Sequence, residues 1–274
     1  MTARRSLVLA AIACLASALP AFSQIAPPDS AIARWIAERV DNGYASGIVV
    51  GILDGGRTRF ISRGGNEASG KALNGESIFE IGSITKVFTN ILLADMVQRG
   101  EVALDDPVSK YLPVSVKVPS RSGKEITLLD LATVSSGLPS LPSNMAPKDM
   151  GNPYADYTVQ QMYDFLSSHT LRRDPGATYE YSNLGMGLLG HALALRAGKS
   201  YEQLLTERVL EPLGMRDTRI TLTPSMTRRF AVPHDGDLEV VKPWDLPTMA
   251  GAGALRSSAR EMLRFAAAVT HRDK

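Results

Sequence analysis

Phe79-Glu80-Ile81-Gly82-Ser83-Ile84-Thr85-Lys86 closes a short apolar run and opens a long helix, because Ile84, Val87, Phe88, Ile91, Leu92 and Val97 recur at helical spacing until Gly100 stops it. The stretch holds the only Ser-x-x-Lys in the 274 residues. Three residues apart on a helix, the Ser83 hydroxyl and the Lys86 amine project from one face, and the first-turn N–H groups favour negative charge at the serine. A desolvated Lys86 loses its proton more readily and can then accept one from Ser83. Taken alone, the four-residue pattern is common and fits a helix-capping serine followed by a surface lysine better.

Before this stretch, Asp29 or Ser30 is placed to cap a helix running through Val40, with Ile32, Trp35, Ile36 and Ala37 on one side. Gly47 to Leu53 reads as a buried strand, Asp54-Gly55-Gly56 as a turn and Thr58 to Ser62 as the returning strand. An isolated hairpin is marginal, so this pair needs further strands from elsewhere in the chain. After the stretch, helices are expected from Thr127, with a Thr-x-x-Asp capping pattern to Asp130, from Thr158 to Ser168 and from Leu184 to Arg196. Loops rich in Pro and Gly separate them. The organisation expected is a signal peptide at 1–23, the N-terminal part of an α/β domain (helix and first hairpin) at 24–75, a helical domain with the Ser83 and Tyr181 motifs at 76–250 and the truncated start of a return to the α/β domain at 251–274.

Tyr181-Ser182-Asn183 is the only Tyr-x-Asn present and sits at a turn before a helix. A phenolate is stabilised by a nearby ammonium, and Asn183 offers both a donor and an acceptor to an amide or to Lys86. The plain alternative is a turn tyrosine followed by an asparagine cap. Beside Ser83 and Lys86, in this order and in these local contexts, the set points to proton relay around a nucleophilic serine.

Composition narrows the classes. Lys and Arg number 30 against 28 Asp and Glu, with 44% hydrophobic residues, which describes an ordinary globular protein and not a disordered or polytopic membrane chain. Arg4 and Arg5 before the apolar run Leu7 to Leu19, with Ala21-Phe22-Ser23 after it, read as a secretory signal peptide and hence a periplasmic or secreted protein. Cys14, the single cysteine, falls in this leader, so neither a disulfide nor a thiolate metal site is expected. Taking Arg4 and Arg5 away with the leader leaves acids and bases equal in number, which gives no electrostatic reason to bind nucleic acid. The four histidines are scattered at 169, 191, 234 and 271 without zinc-binding spacing and read as surface or helix-end residues.

At this point the chain resembles the serine β-lactamase and penicillin-binding protein superfamily, in its class C β-lactamase-related branch. Besides the Ser83 and Tyr181 motifs, Leu104-Asp105-Asp106-Pro107-Val108-Ser109-Lys110-Tyr111-Leu112-Pro113, Ile126 to Thr133, Gly137-Leu138-Pro139, Pro175-Gly176, Val209-Leu210-Glu211-Pro212-Leu213-Gly214-Met215 and Gly253 to Met262 look like this branch, in order along the chain. The resemblance implies an α/β (α+β) fold, an antiparallel sheet flanked by helices with an inserted mostly helical domain. It implies Ser83 as the acylated nucleophile, Lys86 and Tyr181 as sharers of its proton, Asn183 as a substrate-binding group and the Ser83 N–H as half of an oxyanion hole. No cofactor and no metal follow from it. The substrate implied is a small molecule, a β-lactam or a D-alanyl-D-alanine peptide of peptidoglycan, handled by a monomer.

Two departures stand out. The family's third motif, Lys-Thr-Gly or His-Thr-Gly on a later strand, does not occur before Lys274, so the chain reads as C-terminally incomplete or as an inactive truncated relative. Arg121-Ser122-Gly123 precedes Tyr181 in a polar turn and is read as a turn only. After Gly137-Leu138-Pro139, where class C enzymes place a glutamine, stand Ser140, Leu141 and Pro142, which leaves room for a carboxypeptidase or a carboxylesterase on the same scaffold. Gly185-Met186-Gly187-Leu188-Leu189-Gly190 matches a dinucleotide fingerprint but follows no buried strand, so its glycines are read as close helix packing. A non-catalytic binder of the same fold is argued against by the retention of Ser83, Lys86, Tyr181 and Asn183 together.

Overall fold

The computed structural model describes residues 26–66 and 70–270; the leader read at 1–23, with Cys14, and His271 lie outside them. In chain order the elements are α1 (Asp29–Asp41), β1 (Gly47–Asp54), β2 (Arg57–Asn66), β3 (Lys71–Ala72), β4 (Ile78–Glu80), α2 (Thr85–Gln98), α3 (Leu128–Ala132), α4 (Val159–Ser168), α5 (Asn183–Ala197), α6 (Tyr201–Leu205), α7 (Pro224–Thr227), α8 (Ala250–Gly253), β5 (Arg256–Ser258) and α9 (Ala259–Thr270). Short 3-10 turns at Gly82–Ile84 and Val108–Tyr111 and a π turn at Thr206–Leu210 join some of them.

β1 and β2 form the expected antiparallel hairpin, with Val50 opposite Ile61 and Gly51 opposite Phe60. Its turn places Gly55 and Gly56 at φ 54° and 79°, a left-handed pair that glycine adopts without steric cost. β3 adds a short third strand on β2. β1 is half-buried, not buried as its apolar run suggested. One helix that covers it is α9, where Leu263 comes within 3.1 Å of the place a Cβ on Gly51 would occupy.

α1 docks on β2 through Arg59 to Asp29 at 2.7 Å and Arg63 to Asp41 at 2.8 Å. Ile32 and Ile36 are buried, whereas Trp35, expected on the same side, is 51% exposed. Neither Asp29 nor Ser30 caps the helix, since the capping position falls on Pro28. Thr127 with Asp130 forms the expected reciprocal capping box, and Thr158 with Gln161 forms another on α4.

The helix-rich middle of the chain packs around α5, whose Leu184, Met186, Leu188, Leu189, Ala192 and Leu193 are all buried. A helix apolar on every side belongs at the centre of a core. Phe88, Leu92, Leu93 and Met96 of α2 and Leu128 and Leu131 of α3 join the same cluster. α8 crosses α5 closely enough that a Cβ on Gly187 would stand 2.8 Å from the Met249 Cα, and one on Gly251 2.9 Å from the Met186 carbonyl oxygen. Gly185 to Gly190 therefore serves helix packing. β5 returns to pair antiparallel with β4, Glu80 opposite Arg256, so the strand leading into Ser83 is held by chain far downstream. The result is the mixed α/β architecture expected, small antiparallel sheets with helices packed on them.

Candidate active site

β4 delivers the chain to Ile81, whose N–H donates to the Leu255 carbonyl at 3.0 Å. Gly82 then turns with φ 50° and the 3-10 turn Gly82–Ile84 carries Ser83 ahead of α2. The long helix thus begins at Thr85, two residues later than its apolar period suggested. Neither capping position at this junction uses a side chain, so Ser83 is not a helix cap. Its Oγ lies 2.5 Å from Tyr181 Oη and accepts from Lys86 Nζ at 3.0 Å.

Lys86 is half-buried, not a surface lysine. Its ammonium donates to Ser83 Oγ, to Asn183 Oδ1 at 2.8 Å and to the Ala252 carbonyl at 2.7 Å. It also stands 4.7 Å from the centre of the Tyr181 ring. Burial lowers its pKa, and the hydrogen bond and charge of Tyr181 offset that in part. At Tyr181 burial pushes the phenol up, but hydrogen bonds from Lys86 and Ser83 and the lysine's charge outweigh it and the net shift is downward. Ser83, Lys86, Tyr181 and Asn183 therefore meet in one place, from two segments nearly a hundred positions apart. A hydroxyl held between a lowered amine and a lowered phenol has a ready acceptor for its proton.

The second segment is held by its own serine. Ser182, not Asn183, caps α5: its Oγ accepts from the Gly185 N–H at 2.8 Å and donates to the Pro139 carbonyl at 2.7 Å. The Asn183 N–H reaches the Ser140 carbonyl at 3.0 Å. The Gly137–Ser140 loop thus braces the Tyr181 turn from behind, which brings Ser140 beside Asn183.

Two contributors were not read from the sequence. The Ala252 carbonyl is backbone and has no residue-type signature; the small-residue run Gly251-Ala252-Gly253 was its only trace. The other is a charge pair of a buried Arg256 and a half-buried Glu80 on the strand that leads to Ser83. Arg256, 7% exposed, donates to the Ile220 carbonyl at 2.7 Å, the Trp244 carbonyl at 2.9 Å and Asp245 at 3.1 Å, and faces Glu80 at 3.5 Å. Glu80 accepts the Trp244 N–H at 2.9 Å, and burial raises its pKa. Trp244 is clamped through both backbone groups, and its half-exposed ring lies 5.3 Å from that of Tyr154.

His191 does not fit its expected place at a surface or helix end. It is half-buried in the middle of α5, with Nε2 2.6 Å from Tyr163 Oη, and burial lowers its pKa. His169 does end α4, stacked on Phe165. Arg121-Ser122-Gly123 is a tight turn closed by Arg121 and Lys124. Gly198-Lys199-Ser200, which superficially resembles the end of a phosphate loop, is the left-handed stop of α5 followed by the cap of α6. Among the described residues no group of three or more His, Cys, Asp or Glu is placed to hold a metal ion, and no helix is long and apolar enough to cross a membrane.

This fold is that of the serine β-lactamase and penicillin-binding protein superfamily. The family model described as Beta-lactamase matches residues 32–274, and the chain belongs to that family. It is 34% identical over 273 residues to the D-alanyl-D-alanine-carboxypeptidase/endopeptidase AmpH of Escherichia coli (strain K12), covering 96% of this chain and 68% of that protein. Among solved structures, it is similar to a beta-lactamase/D-alanine carboxypeptidase from Yersinia pestis complexed with citrate, with a TM-score of 0.73, 27% identity and coverage of 87% of this chain and 68% of that one. It is likewise similar to a class C beta lactamase from Rhodobacter sphaeroides, with a TM-score of 0.72, 30% identity and coverage of 87% and 64%.

Proposed function

We propose that this chain is an exported, monomeric serine hydrolase that forms a covalent acyl-enzyme at Ser83 and acts on β-lactams or on D-alanyl-D-alanine peptides of peptidoglycan. The observation that carries the reading is the contact of Ser83 Oγ with both Tyr181 Oη and Lys86 Nζ, at 2.5 and 3.0 Å. Ser83 Oγ attacks the substrate carbonyl carbon while its proton passes to the Tyr181 and Lys86 pair. The Ser83 N–H is one donor to the developing oxyanion. The same pair returns the proton to the departing amine as the C–N bond breaks, leaving an ester on Ser83. A water molecule, deprotonated by the pair, then cleaves that ester and restores the hydroxyl. Asn183 holds Lys86 through Oδ1 and keeps its amide N–H for the substrate. The relatives' names support both substrate classes, the resemblance calls for no cofactor, and the charge balance gives no reason to bind nucleic acid.

A carboxylesterase on the same scaffold is the second reading, favoured by Ser140-Leu141-Pro142 where class C enzymes place a glutamine. Intact-mass spectrometry of the native exported protein, with and without a penicillin and beside Ser83→Ala, tests these readings. A Ser83-dependent adduct that persists supports the peptidase, and one lost rapidly supports the β-lactamase. Turnover of a p-nitrophenyl ester with no penicillin adduct supports the esterase. Absence of any Ser83-dependent reaction overturns the proposal, and a native mass that retains residues 1–23 overturns export through a cleaved leader.

A further inference from the structure

α8, which supplies the carbonyl that receives the Lys86 ammonium, is a four-residue helix with no side-chain cap. One turn of helix has no stability of its own, so its position must be imposed by what surrounds it. Part of that is the close crossing with α5. The rest comes from the helix that carries Lys86. Thr89, three residues beyond Lys86 and fully buried, places Oγ1 2.8 Å from the Gly251 carbonyl, 3.3 Å from the Thr85 carbonyl and 2.6 Å from Tyr201 Oη.

A hydroxyl has one proton to give. Thr89 satisfies the nearer carbonyl, that of Gly251, and the buried Tyr201 donates its own proton to Thr89 Oγ1. Burial pushes the Tyr201 phenol well above its ordinary value, so it remains a donor at every working pH. The chain of donors runs from Tyr201 to Thr89 to Gly251, one residue before Ala252. Thr85 adds a parallel tie by accepting the Leu255 N–H at 3.2 Å. We propose that Thr89 and Tyr201 are positioning residues for the Ser83 reaction: they hold α8 at the register in which the Ala252 carbonyl receives the Lys86 ammonium.

This rests on the reading of Lys86 as a proton acceptor for Ser83. The groups facing Lys86 are Ser83 on its own turn, Tyr181 and Asn183 from the start of α5, and the Ala252 carbonyl from α8. Tyr181 is the titratable one, and Tyr154 faces Tyr181 in turn. A hydrogen bond to the charged form favours that form, so displacing the Ala252 carbonyl lowers the midpoint at which Lys86 loses its proton.

The experiment is a pH titration of Lys86 by carbon NMR in the full chain labelled at the lysine ε-carbon, the resonance being identified by its loss in Lys86→Met. Thr89→Val, which removes the hydroxyl at nearly constant shape, is expected to lower the midpoint by about half a unit or more. Tyr201→Phe, which leaves the bond from Thr89 to Gly251 in place, lowers it less, and Thr89→Ser leaves it at the native value. Should Thr89→Val fail to fold, Tyr201→Phe carries the same reading. An unchanged midpoint in the folded variants, whatever the fall in Tm, makes Thr89 and Tyr201 structural only and overturns the inference. The titration needs no turnover, so a failure of the Ser83 reading, seen as no penicillin adduct on the native protein, is separable from a failure of this one.

Discussion

Tyr181 Oη lies 2.5 Å from Ser83 Oγ across 98 positions of chain, and Lys86 Nζ reaches the same serine from the next turn of its own helix. The phenol is 40% exposed, so it is held by these contacts and by its backbone more than by packing. Tyr181→Phe should accordingly slow acylation of Ser83 by roughly 10²- to 10⁴-fold, the usual worth of a positioned acid or base, while Tm changes little. Time-resolved intact mass with a penicillin and a thermal melt read the two quantities. Equal acylation rates in the variant and the native protein would remove Tyr181 from the relay.

The lowered pKa values of Lys86 and Tyr181 also set the sign of an effect on stability. Both groups bind fewer protons in the folded chain than in the unfolded one between their lowered values and the ordinary 10.5 and 10.0. Unfolding free energy therefore gains a contribution that rises with pH through that window and levels off above the ordinary values. The two groups titrate as a coupled pair. Urea denaturation from neutral to alkaline pH should show a steeper rise in the native chain than in Lys86→Met with Tyr181→Phe. Parallel curves would mean that the pair is unperturbed.

Ser182 ties local helix chemistry to the site. It is fully buried and makes the cap of α5 and the bond to Pro139 at once, between Tyr181 and Asn183. Ser182→Ala should cost about 1–2 kcal/mol and slow acylation as well. Thr158→Ala removes a comparable cap on α4 and should cost about 1 kcal/mol with acylation unchanged. Denaturant midpoints and adduct rates for the two variants, compared side by side, separate capping from positioning.

Gly187→Ala places a methyl 2.8 Å from the Met249 Cα, a backbone atom that cannot step aside alone. Overpacking of this kind costs about 1–3 kcal/mol, and here it pushes α8 and its Ala252 carbonyl away from Lys86. Stability and the rate of Ser83 acylation should fall together. A variant with native melting and native acylation would show that the crossing has slack.

Arg256→Leu leaves Glu80 without its facing cation and the Ile220 and Trp244 carbonyls without their donor. Removing one partner of a fully buried pair costs about 3–5 kcal/mol, and the half-buried Glu80 keeps the loss here below that range. Glu80→Gln in the same background should recover part of that, because the uncompensated carboxylate is gone. Melting temperature, with Trp244 fluorescence as a local probe, follows the loss and its rescue.

Much of this was legible locally. The hairpin at Gly47 to Ser62 could be read because an apolar run and a Gly-Gly turn act over a few residues, and the capping box at Thr127 because a cap is a contact three residues away. The misses share a cause. Trp35 stays half-exposed and β1 half-buried, since periodicity marks a face but not how completely a neighbour covers it. His191 reads from the sequence as a surface or helix-end residue because a lone histidine carries no sign of the Tyr163 that meets it from another helix.

The sequence by itself singled out the candidate residues: Ser83 and Lys86 lie about one turn apart by spacing alone, and Tyr181 and Asn183 share a turn. Only the tertiary structure decided that these two pairs meet, that Lys86 is desolvated enough to have its pKa lowered, and that the third partner of its ammonium is the Ala252 carbonyl. The physical reason is range and identity. Helical spacing and capping are contacts between near neighbours whose side chains name them, whereas desolvation depends on everything packed around a group, and a backbone carbonyl is the same in every residue.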